Sequence, residues 1–459
     1  MNQTASPEAP DARPRGALDR VLGVFADVRG GEAVTAILLM LNIFLLLASY
    51  YLLKTIREPL ILAAPGGGAE VKSYAAAAIA GLLIILVPIY SALASRVSRV
   101  KLINFVTLFF IACLFAFFVL NGMGVPVGVP FFIWVGIFNL MVIAQLWAFA
   151  NDVYTVEQGK RLFAIVGVGA SLGAIAGSFV TGQLVKVYGP YPFMLGAAGL
   201  LAVCMLLTNM VGIRERRARS AAPPTGADAP GPSDPGTDEG LKGRSGFALV
   251  FSDRYLLLIG ILMLLVNLVN TNGEYILGKT VVALYVAAHG AAAAAGLDAK
   301  KVIGEFYGNY FTIVNILAAL IQAFVVSRVL KYFGVRIALL VLPAVALIGY
   351  GAMAFVPVLA FIRGAKMAEN SLDYSLQNTT RNALYLPTSR EAKYKAKQAN
   401  DTFFVRFGDV MSAGIVFAGT TWLGFASREF ALVNVGLVLI WLVVAVVLGR
   451  KFQSMAKTA

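Results

Sequence analysis

Apolar stretches of about 20 residues recur along this chain, each long enough to cross a bilayer as a helix, and this spacing constrains the fold more than any motif. They fall at about 33–53, 74–94, 102–120, 129–150, 162–185 and 191–212, and again at about 255–286, 304–326, 337–356, 357–386, 403–424 and 430–449. Of 459 residues, 59% are apolar and only 14% charged. Soluble domains average roughly 45–50% apolar and about 25% charged. The pattern therefore specifies an all-α polytopic membrane protein.

Between the two sets, residues 213–246 read RERRAR followed by a Pro/Gly/Asp-rich stretch that cannot bury a core, so they are expected to form a linker. The tenth stretch, 357–386, carries Arg363, Lys366, Glu369, Asp373 and Arg381, and topology decides its status. Basic clusters lie at Arg13–Arg29, Arg96–Lys101, Lys160–Arg161, Arg214–Arg219, Arg328–Arg336, Arg390–Lys397 and Arg450–Lys457. All face the cytoplasm only if 357–386 also crosses. The expectation is twelve spans, with both termini cytoplasmic and the protein in a bacterial inner membrane. Residues 1–32 form a polar tail ending in an interfacial helix, 33–212 the first half, 213–246 the linker and 247–459 the second half. The net charge of +14 then reflects cytoplasmic loops and attraction of an anionic solute rather than nucleic acid.

The halves share weak internal similarity. Ser95-Arg96-Val97 recurs as Ser327-Arg328-Val329, and Tyr51–Ile56 resembles Tyr275–Val281. Two six-helix halves related by an axis along the membrane normal give the major-facilitator architecture, with a solute site between them.

Polar residues inside spans are functional candidates, because a charge facing lipid costs about 2.5–3.5 kcal/mol. In 357–386, Arg363, Lys366, Asn370, Asp373, Gln377 and Arg381 recur at helical spacing as one stripe, suited to a solute cavity or to internal pairing of Lys366 with Glu369 or Asp373. Lys54, Arg57 and Glu58 cluster near the end of span 1. Span 4 carries Asn139, Gln145, Asn151 and Asp152. Span 7 carries Asn267, Asn270, Asn272, Glu274 and Lys279, where Glu274 either binds a proton or an amine, or pairs with Lys279. Gly169, Gly173 and Gly177 are spaced for close helix packing. They lack the preceding strand that a dinucleotide fingerprint requires. Cys113 and Cys204 lie in apolar runs and read as buried thiols, and His289 falls in an Ala/Gly-rich loop. No catalytic, metal or cofactor motif appears in the sequence, so enzyme activity is not expected.

The stretch YYLLKTIREPLILAAPGGGAE (50–70) resembles the first-span signature of the ATP/ADP translocases of plastids and intracellular bacteria, which runs Y-x-x-L-R-D-T-K-D and later A-P-G-S-G-A-E. Thr380-Arg381 through Tyr385-Leu386-Pro387 is similar to that family's T-K-E-x-x-Y-I-P. Lys393, Lys395, Lys397 and Asp401 match its K-x-K-x-K-A-A-x-D, Gln145-Leu146-Trp147 falls at its E-L-W, and Glu274 lies near its acidic residue in span 7. Gln145 and Asn382 stand where the family has carboxylates.

The resemblance implies a monomeric transporter that exchanges ATP-type nucleotides by alternating access. Lys54, Arg57, Lys279, Lys366 and Arg381 would face phosphates. Gln145 and Asn370 would read polar groups, and Glu274 and Lys397 would complete the substrate contacts. Two alternatives stay open: a facilitator of another organic anion, proton-coupled through Glu274 or Asp373, and a non-transporting membrane scaffold.

Overall fold

The computed structural model describes residues 32–94, 96–154, 156–221, 245–389 and 391–458. The tail with its interfacial helix, apart from Glu32, and linker residues 222–244 lie outside the described residues. Helices dominate, and no strand occurs among the described residues.

The first half comprises α1 (Ala33–Leu62), α2 (Ala69–Ala94), α3 (Arg99–Gly122), α4 (Gly128–Val153), α5 (Val156–Tyr188) and α6 (Pro192–Ala221). The second comprises α7 (Arg254–His289), α8 (Leu297–Phe324), α9 (Gly334–Phe355), α10 (359–383), α11 (Ala392–Trp422) and α12 (Ser427–Thr458). Among the described residues, 11 helices are long and apolar enough to cross a membrane. The remaining member of the two-times-six pattern is α10, built from Leu359–Leu372, a π-helical turn Asp373–Gln377 and Asn378–Ala383. Its length, ~37 Å at 1.5 Å per residue, suffices to cross. Its charged stripe alone sets it apart.

Several boundaries move. The helix α1 runs through Lys54, Arg57 and Pro59 to Leu62. The RERRAR segment continues α6 to Ala221 instead of opening the linker, since Arg and Ala are strong helix formers. A short helix, Gly246–Ser252, precedes α7. The basic stretch Lys393–Lys397, expected as a loop, is the first turn of α11, and His289 is the last residue of α7. Cys204 is buried, whereas Cys113 is only half-buried.

The two halves pack alike. In the first, α1 lies against α5 and α6, and α3 against α6. In the second, α7 lies against α11 and α12, and α9 against α12. The glycine spacing in α5 is explained by this packing. A Cβ on Gly169, Gly173 or Gly177 would collide with the carbonyl oxygen of Met40, Phe44 or Ala48 on α1. Two seams join the halves: α5 on α8, where Gly182 and Gly308 approach backbone to backbone, and α2 on α11.

Candidate functional site

The turn after α1 positions the first site residues. Gly66 (φ +68°) adopts the left-handed conformation that glycine reaches without strain, and Gly68 N–H donates to the Ile61 carbonyl at 3.0 Å. The chain thereby doubles back, so that Glu70 and Lys72 at the start of α2 return toward α1 and α7.

On α1, Glu58 is buried at 1% exposure and pairs with Arg57 at 3.1 Å. The Arg57 guanidinium also lies 4.5 Å from the Phe132 ring centre. Lys72 approaches Glu58 at 2.6 Å and Glu274 of α7 at 3.6 Å, as ionic contacts rather than aligned hydrogen bonds. Glu274 accepts from Asn370 Nδ2 at 3.0 Å and from the Tyr310 hydroxyl at 3.5 Å, and Lys366 Nζ stands 3.9 Å away. Lys366 is fully buried and pairs with Glu369 at 3.0 Å, and Glu369 also accepts from Tyr350 at 2.7 Å. Gly273 leaves the space they occupy, since a Cβ there would collide with the Tyr350 hydroxyl and crowd Lys366 Nζ. The chain Arg57–Glu58–Lys72–Glu274–Lys366–Glu369 thus crosses from the first half to the second.

Lys54 stands apart from that chain. Its ammonium donates to the Tyr374 hydroxyl at 3.0 Å and lies 4.6 Å from the Phe311 ring centre and 5.0 Å from that of Tyr51. Among the described residues it has no ion pair with a carboxylate. A buried cation held by aromatic faces is stabilised by about 2 kcal/mol when desolvated.

The structure sorts the sequence candidates. Arg57, Glu274, Lys366 and Asn370 come together in one network, and Lys54, one turn before Arg57 on α1, lies outside its ion pairs. Lys279 does not pair with Glu274. It binds Glu70 at 3.4 Å and Tyr275 at 2.9 Å, a separate link between the halves. Like Lys54 it lies over aromatic rings, those of Tyr275 and Phe430, but unlike Lys54 it is half-buried and has a carboxylate partner. Arg381 pairs with Asp373 at 3.9 Å further along α10. Gln145 donates to Tyr90 at 2.8 Å, joining α4 to α2. Lys397 lies on the first turns of α11, and Asn382 is exposed and donates to the Asn378 carbonyl at 2.9 Å. Sequence reasoning missed Lys72, Glu70, Tyr310 and Tyr374. For the first two a signal existed: they lie inside and just after the APGGGAE motif.

A charged cluster across the seam of two matching six-helix halves is the arrangement of membrane carriers built from two helical repeats. The chain matches the family model described as Major Facilitator Superfamily over residues 8–368, and it belongs to that family. It is a membrane transporter. The resemblance read from the motifs is matched by the ADP,ATP carrier protein 1 of Chlamydia pneumoniae, 22% identical over 69% of this chain. The carrier of the same name from Chlamydia trachomatis is also 22% identical. The matches span 65% and 63% of the length of those relatives. Among solved structures, the POT family transporter PepTSo superposes with a TM-score of 0.62 at 12% identity, covering 92% of this chain and 98% of that one. A variant of the nucleoside transporter NupG does so with a TM-score of 0.61 at 13% identity, covering 92% and 99%. These likenesses establish the fold.

Proposed function

We propose that the protein exchanges nucleotides of the ATP/ADP type across the membrane by alternating access. The observation that carries this reading is Lys54, a buried ammonium at the junction of the halves with no carboxylate partner among the described residues. A phosphate is the anion such a charge is suited to hold, and Tyr51, Phe311 and Tyr374 beside it offer ring faces to a base. The names of the curated relatives support the same substrate class. Arg57 and Lys72, held by Glu58, would exchange that carboxylate for phosphate oxygens as substrate enters. Lys72–Glu274 and Lys279–Glu70 link the halves at one end of the bundle and must break when that end opens. With both termini cytoplasmic, as we place them in a bacterial inner membrane, that end faces outward.

The test is uptake of labelled ATP into proteoliposomes preloaded with ADP. Wild-type protein should accumulate label, and Arg57→Ala should abolish it. Uptake of an unrelated organic anion, with none of ATP, would replace the substrate assignment while leaving the fold intact.

A further inference from the structure

The second seam has a different character. The antiparallel helices α2 and α11 meet where the Tyr74 and Phe417 rings lie 6.4 Å apart. Toward the other end they part around a cleft of about 620 Å³ that none of the cluster residues lines. One wall is small and apolar: Ala77, Ala80, Gly81 and Ile84 of α2. The other, on α11, carries Phe403, Phe407 and two cations, Lys395 and Arg406. Ile84 is 74% exposed, so within a membrane this cleft opens to lipid rather than to water.

Whatever fills it must be apolar along its length and anionic at one end. The Arg406 Nη1 bonds Asp409 at 3.1 Å, but Asn267 and Thr271 already donate to the other oxygen of that carboxylate. The remaining N–H groups of Arg406 have no partner among the described residues. The apolar run of α11 begins at about residue 403. Arg406 therefore sits one turn inside the hydrocarbon and Lys395 about two turns outside it, the depths between which a phospholipid headgroup lies. Lys395 is held by Glu391 at 3.1 Å on the same helix.

We propose that an anionic phospholipid lodges in this cleft, its phosphate on the free N–H groups of Arg406, its headgroup toward Lys395, which lies ~16 Å further out along α11, and one acyl chain along Ala77, Ala80 and Gly81. Bound there it separates the halves like a wedge. It must leave before α2 and α11 can close along their length, so anionic lipid sets the balance between the transporter's conformations.

The experiment equilibrates the purified full-length protein with mixed phosphatidylglycerol and phosphatidylethanolamine vesicles, then counts retained lipid by native mass spectrometry. Wild type should retain phosphatidylglycerol with at least tenfold preference. Gly81→Phe fills the cleft, and a Cβ at Gly81 meets nothing within 4 Å, so the variant should fold and lose retention at least tenfold. Arg406→Gln should lose the preference and Arg406→Lys should keep it. Equal retention of both lipids by wild type, or unchanged retention by Gly81→Phe, overturns the proposal.

Discussion

Replacing Lys54 by methionine separates a substrate-binding cation from a structural one. The side chain becomes one atom shorter and loses its charge. In the folded protein it loses the bond to Tyr374 and the attraction of the Phe311 and Tyr51 rings, worth about 2 kcal/mol when desolvated. It also escapes the burial of an ammonium that has no ion pair among the described residues, so no directly paired carboxylate is orphaned there. These effects oppose one another, so thermal stability should stay close to wild type. Binding should change far more. A charge-assisted bond to phosphate contributes roughly 1.5–3 kcal/mol, which converts to ~10- to 150-fold in affinity. Lys366→Met is the control. It leaves Glu369, 4% exposed, without its cation, and breaking one side of a buried pair costs about 3–5 kcal/mol. Calorimetry with ATP and a thermal melt on both variants measure the contrast. Unchanged ATP affinity in Lys54→Met, or a loss of stability as large as that of Lys366→Met, would show that Lys54 holds the fold and not the nucleotide.

Other outcomes follow from the same contacts. Combining Lys366→Met with Glu369→Gln removes both charges of the pair and should recover at least half of the stability lost in Lys366→Met alone, read from melting in detergent. Gly173→Leu drives a side chain into the Phe44 carbonyl of α1 and should abolish the monodisperse peak in size-exclusion chromatography, whereas Gly169→Ala and Gly177→Ala should lower its height. Breaking the Glu70–Lys279 link with Glu70→Lys should slow exchange several-fold by weakening closure at that end, and the reversed pair in Glu70→Lys/Lys279→Glu should restore it, measured as initial uptake rate.

The sequence carried the architecture in a physical signal. Hydrophobic runs of bilayer length specify an all-α polytopic membrane protein of major-facilitator type, and the family and fold comparisons agree. The polar stripe of α10 was equally legible, because charges at helical spacing cannot face lipid. Partner choice was not legible. Glu274 lies closer in sequence to Lys279 than to its actual partners, Lys72 and Lys366, which arrive from other helices. Only the glycine turn at 66–68, which folds α2 back, places Lys72 there. The aromatic residues around Lys54 were equally hidden. Tyr51, Phe311 and Tyr374 come from three helices, and an aromatic residue in an apolar run reads simply as core. The position of Gln145 was found from a motif, yet its contact is with Tyr90, outside the cluster.

An exchanger couples influx to efflux, and counting both directions in one vesicle reads that coupling. Proteoliposomes loaded with one labelled nucleotide, ADP, and given ATP carrying a second label should release ADP and take up ATP one for one, with neither flux when the opposite nucleotide is omitted. Uptake of ATP that proceeds at the same rate from empty vesicles, with no ADP released, would contradict the account.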